Sequence, residues 1–306
     1  MLRSVILAAS RSKRVEKLVE SAPISRDVVR RFVAGPELVD VVQAAEQLNS
    51  TGLLSTIDFL GEDTLDATQA KNTRDAYLTL LDSLAEHGLT PAAEVSVKLT
   101  ALGQAFDTGL ARASIEDICE AAQRAGTTVT LDMENHTTTD ATLEAFTELR
   151  KDFPTIGTVL QAHLQRTEGD CRALNKDGMR IRLCKGAYSE PAAVAYHSAR
   201  EVDRSFVRCL NILLSGQGYP MFATHDPRLV SIAEERIDHY RRTSDTFEFQ
   251  MLYGVRPAEQ QRLADVGYAM RVYVPYGEQW YGYLMRRLAE RPANVSFFLR
   301  ALSSKG

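Results

Sequence analysis

The sequence predicts an α/β protein in which eight parallel strands close into one (βα)8 barrel, preceded by accessory helices. Stretches of strand length alternate with stretches of helical period along most of the chain, which favours parallel β-structure. Several of the strands are nearly continuous apolar runs, as expected for strands covered by helices. The length of 306 residues suits a single barrel. A doubly wound open sheet is the alternative.

The predicted strands are short runs rich in β-branched and aromatic residues, bounded by turn residues. They span residues 53–59, 94–99, 127–132, 155–161, 179–184, 221–224, 247–252 and 270–274. Pro275 and Gly277 are expected to end the eighth strand. The predicted helices place apolar residues on one face. They span residues 68–86, 114–125, 139–151, 166–175, 192–214, 228–240, 257–266 and 278–290.

The two predicted domains are a helical segment over residues 1–50 and the barrel over residues 51–306. Ser25-Arg-Asp-Val resembles a helix start, and residues 37–48 place apolar residues on one helical face. The first residues faintly resemble a signal peptide, but their apolar run leads directly into Arg11-Ser-Lys-Arg14. We interpret them as turns of an amphipathic helix. No stretch approaches the roughly 20 apolar residues that span a bilayer.

Composition excludes some function classes. The net charge of −4 gives no electrostatic footprint for nucleic acid. Basic residues cluster only between Arg11 and Lys17, which favours a solvated helix face and leaves a membrane-surface face open as the alternative. No cysteine belongs to a C-x-x-C pair, so free thiols in a reducing cytoplasm are predicted. The cysteines are Cys119, Cys171, Cys184 and Cys209.

The last predicted helix carries two adjacent arginines, Arg286 and Arg287. Neighbours on a helix point about 100° apart, so the pair can grip both sides of a small anion. A guanidinium matches a carboxylate in a bidentate manner. Tyr283 lies one turn earlier and can share their face. An exposed basic turn balanced by Glu290 is the alternative.

Polar residues fall within otherwise apolar strands at their predicted carboxyl ends. A buried charge must be paired or must face a polar site. In a barrel of this kind the active site lies at this end of the strands. The set therefore predicts a functional site, although Lys98 with Asp132 could form only an interior ion pair. The residues are Lys98, Asp132, Gln161 and Arg182.

The histidines give no metal motif. His136, His163 and His225 follow predicted strands three, four and six, but no H-x-H or H-E-x-x-H pattern occurs. No metal is therefore predicted, and His225 is expected to contact a cofactor. The other histidines are assigned to helices as surface or packing residues: His87, His197 and His239.

Two lysines leave a Schiff-base enzyme open. Lys98 or Lys185 could form a Schiff base with a carbonyl substrate in a lyase or aldolase. Lys185 is followed by Gly186 and Ala187, where backbone can approach a ligand closely. A barrel that serves only as a binding scaffold is a further alternative. No G-x-G-x-x-G or Walker A pattern occurs, so a flavin would have to bind at the barrel mouth.

Five motifs in order resemble those of the monofunctional bacterial proline dehydrogenases and of the matching domain of bifunctional proline utilisation enzymes. The resemblance covers roughly residues 50 to 300, and the combination of motifs is far more specific than any one of them. The motifs are Val-Ser-Val-Lys98-Leu, Leu-Asp132-Met-Glu, Arg182-Leu-Cys-Lys-Gly-Ala-Tyr188, Phe-Ala-Thr224-His225, and Tyr273-Val-Pro-Tyr-Gly with Tyr283-Leu-Met-Arg286-Arg287-Leu-Ala-Glu290.

The resemblance implies a distorted (βα)8 barrel that binds FAD noncovalently. It implies oxidation of L-proline to Δ1-pyrroline-5-carboxylate in proline degradation, by hydride transfer to flavin N5, beneath the last helix. It further implies quinone as electron acceptor, a pyrroline-5-carboxylate dehydrogenase on a separate chain, and a cytoplasmic protein that either stays free of the membrane or contacts its inner face.

The resemblance also assigns site residues. Asp132 and Arg182 match catalytic positions, with Arg182 beside flavin N5. The residues that match substrate contacts are Lys98, Arg286 and Arg287 at the carboxylate and Leu252, Tyr273 and Tyr283 around the ring. Those that match cofactor contacts are Met133, Gln161, Arg182, Lys185, Gly186, Ala187, Thr224, His225 and Glu290. Ser189 and Cys184 depart from the family pattern at positions that bear on flavin stacking and affinity.

Overall fold

The computed structural model describes residues 29–61, 64–176 and 178–290, without the side chains of Arg286, Leu288, Ala289 and Glu290. Two expectations fall outside these residues. They concern the helix start at Ser25 and the amphipathic helix with the basic stretch from Arg11 to Lys17.

Eight parallel strands form a closed barrel in chain order, so the predicted (βα)8 fold is confirmed and the open sheet is excluded. The strands are β1 (Leu54–Phe59), β2 (Ala93–Val97), β3 (Val129–Leu131), β4 (Gly157–Gln161), β5 (Arg180–Cys184), β6 (Tyr219–Ala223), β7 (Glu248–Leu252) and β8 (Met270–Tyr276). The helices are α1 (Leu38–Ser50), α2 (Ala67–Glu86), α3 (Thr108–Arg124), α4 (Thr139–Leu149), α5 (Thr167–Leu174), α6 (Ala199–Leu214), α7 (Pro227–His239), α8 (Pro257–Asp265) and α9 (Trp280–Glu290), with a 3-10 turn at Thr100–Leu102.

The closing seam joins β1 to β8 over six residue pairs, from Leu54 opposite Arg271 to Phe59 opposite Tyr276. The eighth strand therefore continues through Pro275, and the predicted end at residue 274 is wrong. Proline lacks an N–H and is tolerated only where no ladder partner is lost. This condition holds because β7 pairs with β8 only as far as Tyr273.

The hydrophobic core lies between the strands and the surrounding helices. Leu80 and Leu84 of α2 and Phe206 of α6 are fully buried in it, and each such side chain stabilises the fold by about 1.5–3 kcal/mol. Helix α1 packs against β1 and β8, and Val41 and Val42 belong to the same core. The segment before the barrel thus shares the barrel's core, while the division at residue 50 stays a prediction.

Capping side chains explain two helix starts that the sequence placed wrongly. Helix α6 begins at Ala199 rather than at residue 192, because the Ser198 side chain accepts a hydrogen bond from the Glu201 N–H. Helix α3 begins at Thr108 rather than at residue 114, because Asp107 Oδ1 accepts from the Leu110 N–H at 2.9 Å.

Two histidines lie outside the helices to which they were assigned. His197 precedes α6, and its Nε2 lies 2.9 Å from the Glu190 carbonyl oxygen. His87 follows the last residue of α2. His239 is the last residue of α7, as predicted.

The amino-terminal half of the barrel interior is filled by four charged residues and a tyrosine, which we call the lower layer. Its members are Glu94, Arg180, Tyr219, Glu248 and Arg271. Arg271 Nε donates to Glu248 Oε1 at 2.9 Å, and Arg180 Nη2 donates to Glu94 Oε2 at 2.6 Å. Burial disfavours the charge of Arg271, but Glu248 and Glu94 outweigh it and hold the Arg271 pKa above its usual value. The two acids and two arginines balance each other's charge.

Breaking the lower layer should destabilise the fold. Arg271→Met leaves Glu248, which is 0% exposed, without its ion-pair partner, and the loss expected from a buried pair is about 3–5 kcal/mol in the free energy of unfolding. Arg262→Met is the control, because the Arg262 side chain is 42% exposed beside Glu234; there we expect less than about 1 kcal/mol. Urea unfolding measures both, and equal losses would contradict this account.

Candidate functional site

The carboxyl ends of the strands bring six polar side chains together inside the barrel, which we call the upper cluster. Asp58 lies in β1, Ser96 in β2, Arg182 in β5 and Tyr273 in β8, while Lys98 follows β2 and Asp132 follows β3. Except for Tyr273, which is partly buried, all are buried. Of the four polar strand residues selected from the sequence, Lys98, Asp132 and Arg182 therefore lie together at this end of the barrel.

Asp132 is the centre of the upper cluster. Its Oδ1 accepts hydrogen bonds from Ser96 Oγ and from Arg182 Nη1, both at 2.7 Å, and its Oδ2 accepts from the Tyr273 hydroxyl at 2.7 Å. Arg182 Nη1 also donates to Ser96 Oγ at 2.9 Å. Donors from three strands therefore fix the orientation of one carboxylate.

Tyr273 contributes both a hydroxyl and a ring. The Arg182 guanidinium carbon lies 5.4 Å from the centre of the Tyr273 ring, within the range of a cation–π contact. Burial raises the Tyr273 pKa well above its usual value, and the negative charges of Asp132 and Asp58 raise it further. The hydroxyl therefore stays neutral and remains a hydrogen-bond donor to Asp132.

Lys98 is paired chiefly with Asp58. Lys98 Nζ lies 2.7 Å from both carboxylate oxygens of Asp58 and 3.9 Å from Asp132 Oδ2. The simple Lys98–Asp132 pair that the sequence left open is thus not the main interaction. Two anions and two cations, counting Arg182, balance within the cluster, so an additional carboxylate would require positive charge from elsewhere.

Helix α9 lies after β8 and supplies a further cation. Tyr283 is buried, and the Arg287 guanidinium carbon lies 5.3 Å from the centre of its ring. Tyr283 and Arg287 therefore share one helical face, as predicted. The side chains of Arg286 and Glu290 lie outside the described residues, so their predicted roles stay predictions.

Most of the predicted cofactor contacts lie at or just beyond the ends of β4, β5 and β6. Gln161 is the last residue of β4, and its Nε2 donates to the Glu134 carbonyl at 2.7 Å. Thr224 and His225 follow β6, and His225 Nε2 accepts from the Leu252 N–H at 2.8 Å. Met133 follows Asp132 and is buried.

The segment from Lys185 to Ala187 follows β5 and lies against His163. The His163 N–H donates to the Lys185 carbonyl at 2.8 Å. Gly186 has a φ of +99°, and a Cβ there would lie 2.3 Å from His163 Nδ1. Glycine is thus required for this close approach.

The ion pairs of Lys185 and Lys98 weigh against the Schiff-base alternative. Lys185 Nζ lies 2.6 Å from Asp203 Oδ1 and 3.1 Å from Asp226 Oδ2. Arg228 and Lys185 hold the Asp226 pKa well below its usual value, so Asp226 remains an anion. Because a Schiff base requires a neutral amine, a lysine held by carboxylates is poorly suited to form one.

No group of three or more histidine, cysteine or acidic residues suited to a metal ion occurs among the described residues. Asp58 and Ser96 are not among the predicted site residues. Asp58 carried the same signal as Lys98, a charge in an apolar strand. Ser96 carried no signal, because its contacts with Asp132 and Arg182 form only once the closed barrel turns β2, the end of β3 and β5 toward the same interior.

A closed (βα)8 barrel with a charged cluster at the carboxyl ends of its strands has the arrangement of a barrel enzyme. The proline dehydrogenase family model matches residues 41–300, and the chain belongs to this family of oxidoreductases. The resemblance drawn from the motifs is thereby confirmed.

Similar proteins match along the whole chain. Proline dehydrogenase 1 of Bacillus subtilis is 38% identical over 305 residues, covering 100% of both chains. Proline dehydrogenase of Deinococcus radiodurans is 36% identical over 307 residues, covering 99% of this chain and 98% of that protein. A solved structure, proline utilization A from Bdellovibrio bacteriovorus inactivated by N-propargylglycine, superposes with a TM-score of 0.81 at 26% identity. The match covers 92% of this chain but only 34% of that one.

Two glycines with left-handed φ angles test the close approach at His163. Gly267 has a φ of +91° and open space around its missing Cβ, so Gly267→Ala should cost about 1–2 kcal/mol from backbone strain alone. Gly186→Ala should cost more, because its Cβ also meets the His163 ring, and it should displace the segment from Lys185 to Ala187. Urea unfolding and proline oxidation assays measure both effects. Equal losses of stability with full activity in both variants would argue against the close approach.

Proposed function

We propose that the chain oxidises L-proline to Δ1-pyrroline-5-carboxylate with noncovalently bound FAD in proline degradation. The observation that carries the proposal is the upper cluster in a proline dehydrogenase family member: a buried Asp132 bound by Arg182 and Tyr273 at the barrel mouth. Family membership supplies the reaction, and the cluster supplies groups suited to bind and orient the substrate.

The described residues fit a flavin at the barrel mouth. Arg182 Nε is buried and makes no hydrogen bond within the part of the chain that the structure describes. A buried donor without an acceptor is costly, and an acceptor atom of a bound flavin would satisfy it. We assign Arg182 to flavin N5. The other proposed cofactor contacts are Met133, Gln161, Lys185, Gly186, Ala187, Thr224, His225 and Glu290.

When bound, the flavin would accept a hydride from the substrate. The cationic Arg182 would stabilise the negative charge that develops as the hydride arrives. Because Asp132 and Ser96 already hold the Nη1 group, the guanidinium is oriented before the substrate binds. Little reorganisation would then be needed during the reaction.

The substrate carboxylate is assigned to Lys98, Arg286 and Arg287. The four buried charges of the upper cluster balance, so the arginines of α9 would supply the positive charge that an additional carboxylate needs. Several charge-assisted contacts would fix the ring so that the Cδ–H of proline faces flavin N5. Leu252, Tyr273 and Tyr283 would form the wall around the small apolar ring.

Asp132 is assigned a positioning role. The substrate amine must be neutral for the hydride to leave, but both Asp132 oxygens already accept hydrogen bonds from protein donors. We therefore propose that Asp132 tunes Lys98 and Arg286 rather than taking the amine proton.

We further propose that the electrons pass to a quinone and that the chain is cytoplasmic, either free of the membrane or in peripheral contact with its inner face. None of the helices within the described ranges is long and apolar enough to cross a bilayer. We assign the next step, oxidation of pyrroline-5-carboxylate, to a separate chain. The support is the resemblance of the five motifs to those of the monofunctional proline dehydrogenases.

An absorption spectrum followed by anaerobic L-proline in the same cuvette tests the reaction. We expect flavin bands in the purified or FAD-reconstituted protein and their bleaching by L-proline, with D-proline as the control. A protein that neither binds added FAD nor bleaches would overturn the proposal. Borohydride trapping of a carbonyl substrate on Lys98 or Lys185 would then establish the Schiff-base alternative.

Tyr273 tests the proposed ring wall. Tyr273→Ser removes the ring beside the substrate and should raise the turnover of hydroxyproline relative to that of proline. Tyr273→Phe is the matched control, because it removes the hydroxyl that donates to Asp132 and keeps the ring. It should slow turnover without relaxing the selection. The ratio of kcat/KM for the two substrates measures this, and an unchanged ratio in Tyr273→Ser would refute the assignment.

A further inference from the structure

Asp58 has no role in the assignments above, although it is the more deeply buried of the two acids in the upper cluster. We propose that Asp58 is a positioning residue for the substrate carboxylate and acts through Lys98. The inference rests on the proposed function, since it deepens the assignment of Lys98 as a carboxylate contact.

The Asp58–Lys98 ion pair holds the lysine ammonium group in one position. Asp58 is 1% exposed, and each of its carboxylate oxygens lies 2.7 Å from Lys98 Nζ. Charge-assisted hydrogen bonds of this length are among the strongest in proteins. The long lysine side chain would otherwise sample many rotamers, and the two contacts to one rigid carboxylate remove that freedom.

The backbone around Asp58 is itself held firmly. Asp58 lies opposite Pro275 in the closing seam of the barrel. The Tyr77 hydroxyl lies 3.5 Å from Asp58 Oδ1, donates to the Ser96 carbonyl at 2.7 Å and accepts from the Phe59 N–H at 3.1 Å. One side chain of α2 therefore ties β1 to β2 directly beside the carboxylate.

Asp58 also keeps Lys98 away from Asp132. Lys98 Nζ stands only 3.9 Å from Asp132 Oδ2, the oxygen that accepts the Tyr273 hydroxyl. Without Asp58, the ammonium group would have a second anion within easy reach and would be drawn toward it. That shift would carry Lys98 away from its place in the site and would compete with Tyr273. Asp58 thus keeps two ion pairs separate, Asp58 with Lys98 and Asp132 with Arg182.

The test measures binding of a carboxylate with the rest of the ligand held constant. The probes are L-tetrahydrofuran-2-carboxylate, which has a ring and carboxylate but no amine to oxidise, and the corresponding carboxamide. Asp58→Asn keeps the shape of the side chain and removes its charge. The excess positive charge left on Lys98 is then drawn to Asp132 and away from the ligand, so carboxylate binding should weaken by about tenfold and carboxamide binding by less than about twofold. Equal binding of the carboxylate by wild type and variant would overturn the inference.

A double-mutant cycle shows whether Asp58 acts through Lys98. Lys98→Met should weaken carboxylate binding, and adding Asp58→Asn to Lys98→Met should change the Kd by less than about twofold, because the shared partner is already gone. Fully additive effects would contradict the proposed mechanism.

Asp58→Glu is the second variant, in case the loss of charge prevents folding. It keeps the negative charge and displaces it by one methylene, so it should weaken carboxylate binding selectively; an unchanged Kd would count against positioning. Glu248→Gln is the matched control, since Glu248 is a fully buried acid of the lower layer that pairs with Arg271. It should lower stability without changing the discrimination between carboxylate and carboxamide.

Measurements on the wild-type protein distinguish a failure of the proposed function from a failure of the inference about Asp58. If it neither oxidises L-proline nor binds the carboxylate probe, the proposed function fails. If it does both and the Asp58 variants bind the probe as tightly, only the inference about Asp58 fails.

Discussion

The ion pair between Asp132 and Arg182 is the interaction on which the rest of the site depends. It joins the end of β3 to β5 inside the barrel, with Arg182 Nη1 2.7 Å from Asp132 Oδ1, and both side chains are buried. Because a buried charge without a partner is costly, neither residue can be changed without disturbing the other. The same carboxylate also holds Ser96 and Tyr273, so one acid couples four strands.

The barrel interior contains two sets of charged residues, the lower layer and the upper cluster, where many barrels have mainly apolar side chains. The lower layer pairs its acids and arginines among themselves, which stabilises the closed barrel. The upper cluster is balanced in the same way, but it lies at the end of the barrel where loops and α9 can bring a ligand. This difference in position explains why similar residue types stabilise the fold in the lower layer and take part in the proposed chemistry in the upper cluster.

Much of the fold could be predicted because each element carries its own signal. The alternation of strands and helices gave the barrel, and charges in apolar strands gave Lys98, Asp132 and Arg182. The resemblance added the assignments around the proline ring and the flavin, which stay predictions.

Other features depend on how distant segments meet, and no local pattern contains that information. Asp58 proved to be the partner of Lys98 only once β1 and β2 were neighbours. Pro275 could extend β8 only because β7 stops pairing at Tyr273. The late start of α6 depends on Ser198, one of several serines and threonines that could have capped a helix.

The measurement that tests the central claim most directly is made on Asp132→Asn. Asparagine can still accept hydrogen bonds but cannot neutralise Arg182, so the account predicts weaker binding of a carboxylate analogue of proline and slower reduction of the flavin by L-proline, both in a folded protein. An Asp132→Asn variant with full affinity and a full rate of reduction would contradict the claim that this carboxylate arranges the site.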